Sequence, residues 1–216
     1  MNEEFKKNEQ QDAQEFLQYL MSGLDQDFTS KSFITKSFEG QLSSTLSCPA
    51  CPEQSTTSSP LMCLSLPLPA LPGPQFDLDD CFDKFLEEET LEQENAWYCE
   101  KCNKLQQARK KLAITQLPDL LIIHLKRFAT TYTGTAKLDG YVQIPHCLDL
   151  NYDPAIKHIS SIYHLYAVCN HIGDTLKEGH YTAVVQNSDK KGWNLFNDSK
   201  VTPIAESEVV VSLIHG

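Results

Sequence analysis

YHLYAVCNHIGDTLKEGHYTAVVQNSDKKGWNLFNDS, the stretch from Tyr163 to Ser199, decides the fold. It holds three β signals, HLYAVCNH, HYTAVVQN and WNLFND, and the loops between them contain Gly173, Gly179 and Gly192. Short strands parted by glycine-bearing loops predict an antiparallel meander. In a meander, the start of one strand meets the end of the next. That would bring His180, which opens the second strand, to Asn197 and Asp198, which close the third.

The pattern is chemically suggestive. A thiol nucleophile needs a histidine to take its proton and a side-chain oxygen to fix that histidine's tautomer and orientation. His180 can donate a ring N–H to Asn197 or Asp198. A histidine alone in a strand is usually structural, and His124, His146, His158, His164 and His215 are read that way.

Working towards the N-terminus, Leu120 to Phe128 (LLIIHLKRF) reads as a buried strand behind Pro118, and Thr130 to Gly140 as a polar loop. Ala108 to Thr115 reads as a strand. Asp77 to Glu89 shows Leu78, Cys81, Phe82, Phe85 and Leu86 at helical spacing, with Asp77 as the cap. Cys63 to Pro69 alternates as a strand does, and residues 70–75 form a Pro-rich loop. Phe38 to Cys48 is a strand leading into a knuckle. Gln10 to Leu24 is an amphipathic helix carrying Phe16, Leu17, Leu20, Met21 and Leu24 on one side. Asp12 and Glu15 fall in its early turns, where the helix dipole favours negative charge. The run from Val209 to Ile214 is apolar and must pack or pair.

Two Cys-x-x-Cys pairs, Cys48-Pro-Ala-Cys51 and Cys99-Glu-Lys-Cys102, give four thiolates. Two such knuckles make a tetrahedral four-sulfur site that suits Zn²⁺ as a structural ion. The alternative is four core cysteines or weak redox pairs, and the doubled motif argues against it. Cys63, Cys81, Cys147 and Cys169 lie in apolar patterns and are read as small buried hydrophobes.

The chain has 216 residues, enough for one domain with a real core. Its formal net charge of -11 argues against non-specific nucleic-acid binding and suits a basic partner. No apolar run approaches a membrane span, and Met1 to Gln11 lacks a signal-peptide core. A reducing compartment, cytoplasm or nucleus, is expected.

Several segments, in order, resemble the ubiquitin-specific protease family. QQDAQEFL (Gln10 to Leu17) is similar to its glutamine-rich helix motif. FEGQL before the first Cys pair is similar to the start of its fingers. PDLLIIHLKRF (Pro118 to Phe128) is similar to its central palm strand. YHLYAVCNHIGDTLKEGHYTA and WNLFNDSKVTPI are similar to its histidine box and partner strand, in the subgroup with Asn after Phe.

The resemblance implies an α+β, papain-like cysteine protease fold with thumb, palm and fingers, the zinc ribbon lying in the fingers. Residues 1–30 would be a thumb remnant, 31–115 mostly fingers and 116–216 mostly palm. It implies that His180 is the general base, Asn197 the orienting third member and Asp198 a supporting group near the oxyanion or histidine. It places Asp12 and Glu15 at the ubiquitin tail, and Asn170 to Gly179 over the tail channel. The partners implied are ubiquitin and ubiquitinated proteins, with no nucleic acid and no membrane.

The sequence departs from the family in three places. The family's nucleophile motif, of the type N-T-C-Y-M/L-N, is not found, so this chain is expected to be an inactive fragment of a deubiquitinase or a ubiquitin-binding scaffold. The C-terminal EVVVSLIHG lacks the aromatic residues of the family's last strand. Pro52 after Cys51 asks for a variant turn.

Overall fold

The side chain of Asp12 starts the first helix of the computed structural model. Its Oδ1 accepts the N–H groups of Gln14 (2.7 Å) and Glu15 (3.2 Å), donors that have no partner within the first turn. The structure describes residues 5, 10–26, 32–69, 75–131, 134–138, 140–151, 162–175, 178–187, 189 and 192–211. Residues 70–74 of the Pro-rich loop, His158, His215 and the end of the run from Val209 to Ile214 lie outside them.

Helix α1 (Ala13–Gln26) leads to α2 (Phe33–Phe38). Ser32 caps α2 by accepting the Thr35 N–H at 3.2 Å. Asp25 accepts the hydroxyls of Ser32 and Thr35, and these bonds hold its carboxyl below the ordinary value and tie the two helices together. Only Met21 of the apolar side of α1 is buried. Phe16, Leu17, Leu20 and Leu24 are exposed, with Phe5 against Phe16.

Strands β1 (Gly40–Ser47) and β2 (Gln54–Leu61) form a hairpin whose turn holds the first Cys pair. Next come β3 (Leu64–Pro67), β4 (Gln75–Asp77) and α3 (Leu78–Leu86). Asp80 accepts the Asp77 N–H at 2.8 Å, securing the start of α3. After β5 (Glu89–Thr90), β6 (Trp97–Cys99) and β7 (Lys104–Gln106) enclose the second Cys pair. Strand β8 (Arg109–Gln116) returns along β1, completing a sheet of order β2-β1-β8-β5.

Strand β9 (Ile123–Lys126) pairs in parallel with β3. It is partly buried and shorter than the expected Leu120–Phe128 strand, because the Leu120 N–H turns to the Ser37 carbonyl at 2.8 Å and Arg127 leaves the ladder at the other end. Its guanidinium donates to the carbonyl of Gly140 at 2.7 Å. The polar loop expected from Thr130 to Gly140 is instead largely a hairpin of β10 (Phe128–Thr131) and β11 (Gly134–Lys137). Its pairing is made by backbone groups and needs no apolar alternation.

Strand β12 (Tyr141–Gln143) pairs with β4, and β13 (Cys147–Asp149) with β14 (Ile162–His164). The meander follows as β15 (Ala167–Ile172), β16 (His180–Gln186), β17 (Trp193–Asn197) and β18 (Lys200–Ile204). Among the described residues of the last apolar run, Val209 to Val211 are helical rather than extended. They belong to helix α4 (Glu206–Val211), whose Glu208 carboxylate accepts the Ala205 N–H at 2.7 Å.

Two cores result. The larger gathers Leu64, Leu66, Phe76, Cys81, Phe82, Ile114, Val142 and Leu150 between α3 and strands β3, β8 and β12. The smaller joins Val184, Trp193 and Val209, so α4 covers one face of the meander. Cys147 and Cys169 are exposed, contrary to the core reading. In β13 only Leu148 turns inward, and Cys169 lies on the meander face away from α4.

Phe82 is 1% exposed at the centre of the larger core. Phe82→Ala is expected to lower unfolding stability by about 3–5 kcal/mol, measured by urea denaturation.

Candidate functional site

The register of the meander sets the site. Ala183 lies opposite Phe196, and side chains alternate faces along each strand. His180 and Asn197 are both an odd number of positions from that pair. They therefore share the face that carries Val184, Trp193 and Leu195. The Nε2 atom of His180 is 2.7 Å from Oδ1 of Asn197. An amide oxygen only accepts, so Nε2 carries the hydrogen and Nδ1 is left as a proton acceptor. Asn197 lies across a two-residue turn from Lys200, its strand partner. Asp198 opens that turn at φ 50, and its carboxylate is 4.0 Å from the same nitrogen. The side chain of Asp198 is 80% exposed, so its field at His180 is weakened by water.

All eight cysteines are described, and none hydrogen-bonds to His180. Cys169 lies opposite Ala183, which puts it on the other face of the sheet. Cys81 is buried on the inner side of α3, and Cys147 sits on the short β13 strand.

Asp12 stands among the polar groups around that other face. Ala13 N–H reaches the Tyr181 hydroxyl at 3.4 Å, holding the start of α1 against β16. Burial, opposed by hydrogen bonds from Gln14 and Ser65 and aided by the Asp12 charge, pushes the Cys63 thiol up. Partial desolvation and Asp12 together do the same to Cys169. Desolvation holds His124 below 6.5 despite the pull of Asp12, and its Nδ1 lies 3.3 Å from the Ser65 hydroxyl. Glu15, one turn into the helix, is exposed.

His171 was not singled out in the sequence. Its ring packs on Tyr181 (centroids 4.9 Å apart) and Phe128 (5.9 Å), and desolvation followed by the Lys137 charge holds it below 6.5. Its contact with Phe128 of β10, and its place beside His180's own loop, depend on long-range packing that no local pattern displays.

The second constellation is the four thiols. Sγ of Cys48 is 3.8 Å from that of Cys102, and Sγ of Cys51 is 3.6 Å from that of Cys99. All four lie within 4.8 Å of one another. Four sulfurs at about 2.3 Å around a tetrahedral zinc stand about 3.8 Å apart, so the cluster fits that ion. Desolvation opposes ionisation of Cys48, yet the Ala50 N–H (3.4 Å from its sulfur) and the other thiols bring it down to about 7. Hydrogen bonding to Cys51, then burial, pushes Cys102 up to about 12. A cation would let all four ionise together. Pro52 is accommodated because the knuckle closes through the Cys48 N–H and the Glu53 carbonyl at 3.0 Å. The second knuckle ends at Asn103 in the left-handed region, φ 53.

Known proteins resemble this chain along most of its length. The profile of the family "Ubiquitin carboxyl-terminal hydrolase" matches residues 1–213. Ubiquitin carboxyl-terminal hydrolase 21 of Homo sapiens is 40% identical over 184 residues, covering 84% of this chain and 32% of the relative. Ubiquitin carboxyl-terminal hydrolase 2 of Homo sapiens is 34% identical over 236 residues, covering 94% of this chain and 39% of the relative. The chain thus spans less than half the length of these curated relatives. Among solved structures, Ubp8 in the SAGA deubiquitinase module bound to monoubiquitin superposes with a TM-score of 0.81 at 34% identity. That match covers 97% of this chain and 48% of the other.

His124 and His171 are both held below 6.5 in the folded protein. Below that pH the unfolded chain binds more protons, so folding stability falls as the solution is acidified and is kept above it. Thermal unfolding is expected to occur at lower temperature at about pH 5 than at about pH 7.5. The His124→Asn variant should show a shallower decline.

Proposed function

The chain belongs to the ubiquitin carboxyl-terminal hydrolase family, and from that we propose that it is the base-and-fingers portion of a thiol-dependent deubiquitinase. The observation that carries the reading is the 2.7 Å bond between His180 and Asn197. The reaction is hydrolysis of the isopeptide bond at the ubiquitin C-terminus. Nδ1 of His180 takes the proton of a cysteine thiol, and the thiolate attacks the terminal glycine carbonyl. The same nitrogen then protonates the departing lysine amine, leaving an acyl-enzyme. Water, deprotonated by His180, releases the acid. Asn197 holds the imidazole in the tautomer that both steps require, with Asp198 adding negative field near the imidazolium.

None of the eight cysteines stands at His180, so the nucleophile is assigned to a segment outside these residues and the chain alone is inactive. Two uncovered apolar surfaces support a packed partner segment. One is Phe16, Leu17, Leu20 and Leu24 on α1, and the other is Phe196 and Val201 on the meander. The missing nucleophile equally favours a second reading, a catalytically silent scaffold that binds ubiquitin.

Ubiquitin itself is the proposed partner, and ubiquitinated proteins the substrates. Solved neighbours of the chain are deubiquitinases bound to monoubiquitin or to ubiquitin aldehyde. Asp12 and Glu15 are proposed to meet the basic tail, with one oxygen of Asp12 also serving the helix cap. The four thiols are proposed to hold one structural Zn²⁺, a cross-link with no open position for chemistry. Work in a reducing compartment, cytoplasm or nucleus, suits free thiols.

The purified chain is expected to release no fluorophore from a ubiquitin C-terminal conjugate. Turnover that disappears in His180→Ala would overturn the inactivity. Monoubiquitin titration should show weak binding, reduced several-fold by Glu15→Lys; a folded chain that does not bind would remove both readings.

Metal analysis should give one zinc per chain. Cys99→Ser should lose it and unfold the ribbon first, seen as loss of hydrogen-exchange protection in β6 and β7. Metal-free protein with full protection there would exclude the zinc assignment.

A further inference from the structure

We propose that His171 is a positioning residue for His180, acting as an aromatic wedge that fixes the backbone on both sides of the base. The assignment rests on His180 being the base of the proposed reaction.

The wedge touches the neighbours of His180 in sequence. On one side is Gly179. A Cβ built there would lie 2.2 Å from Nε2 of His171, so the ring occupies the space a side chain would need. Glycine at 179 is what lets the ring reach the backbone. On the other side is Tyr181, whose ring centroid is 4.9 Å from that of His171. His171 is also the strand partner of Tyr181, so backbone register and ring contact act on the same pair. Phe128 of β10 backs the wedge, its centroid at 5.9 Å.

The wedge is itself held. Lys137 Nζ donates to the carbonyls of Gly173 at 2.8 Å and His171 at 3.4 Å. Gly173 takes φ +146, a conformation that glycine adopts without strain. The side-chain amide of Gln10 donates to the Gly179 carbonyl. The β10–β11 hairpin and the chain before α1 therefore clamp the segment that delivers His180.

The chemistry of the ring argues for shape over proton transfer. Nδ1 of His171 is buried with no hydrogen-bond partner among the described residues. A second base would need a partner that orients it and a path to substrate. A wedge needs only a rigid planar ring. The neutral ring sits beside the Lys137 ammonium without repelling it. Loss of the wedge would free rotation about Gly179 and let the imidazole of His180 leave Asn197.

The test is nuclear magnetic resonance of the 216-residue chain labelled with ¹⁵N-histidine. The hydrogen-bonded Nε2–H of His180 is expected as a slowly exchanging, downfield signal. His171→Ala should speed its exchange about tenfold or broaden it away, while zinc content and the amide spectrum of the ribbon stay unchanged. His171→Phe, which keeps a ring but no nitrogen, should retain the signal. Lys137→Met should speed exchange less than His171→Ala. A wild-type signal in folded His171→Ala overturns the proposal, as does loss of the signal in His171→Phe. If His171→Ala does not fold, an unchanged signal in Lys137→Met overturns it. The readout is independent of turnover and ubiquitin binding, so failure of the proposed reaction would not be mistaken for failure of the wedge.

Discussion

Backbone register in the meander is the constraint on which the site depends. Ala183 opposite Phe196 and Asn197 opposite Lys200 put the imidazole and the amide on one face. A slip of one residue in β16 would send His180 to the opposite face and expose Val184, which is fully buried. The apolar contacts of Val184, Trp193 and Val209 therefore lock the register that joins His180 to Asn197. Packing energy spent far from the reacting atoms is what holds a hydrogen bond at the rim.

Asp12 links the helix to the sheet in a second way. Its carboxylate starts α1, and its charge is felt by Cys63, His124, Cys169, His171 and Tyr181. One short side chain thus combines a cap with an electrostatic centre. Replacing it would disturb the helix entrance and the polar floor together. Glu15, exposed one turn along, separates the two effects because it serves no cap.

Much of this was legible in the sequence, and the exceptions have physical causes. The meander showed itself through glycine-parted β runs, and the thiol cluster through paired spacing, since both signals are local. Helix α3 was visible because Leu78, Cys81, Phe82, Phe85 and Leu86 repeat at its period. The β10–β11 hairpin was hidden because backbone bonds leave no apolar trace in TTYTGTAK. Cys169 looked like a core residue because it alternates correctly, but alternation names a face without saying what covers it. Helix α4 was not legible because three consecutive valines carry no helical period and favour extended chain, and its start is secured by the Glu208 carboxylate accepting the Ala205 N–H. His171 became visible only when strands distant in sequence put Phe128, Tyr181 and Gly179 around one ring.

The thiol cluster has a kinetic side. Cys51 and Cys99 are 48 positions apart, yet their sulfurs are 3.6 Å from each other. Closing a loop of that size costs roughly 3 kcal/mol of chain entropy, before any contact repays it. The β1–β8 ladder starts from the same two ends, with Ser47 opposite Arg109 next to the knuckles. An ion that captures both knuckles would make that long-range pairing local. Metal arrival would then set the order in which the chain folds, with the ribbon as nucleus and the long sheet closing outward from it.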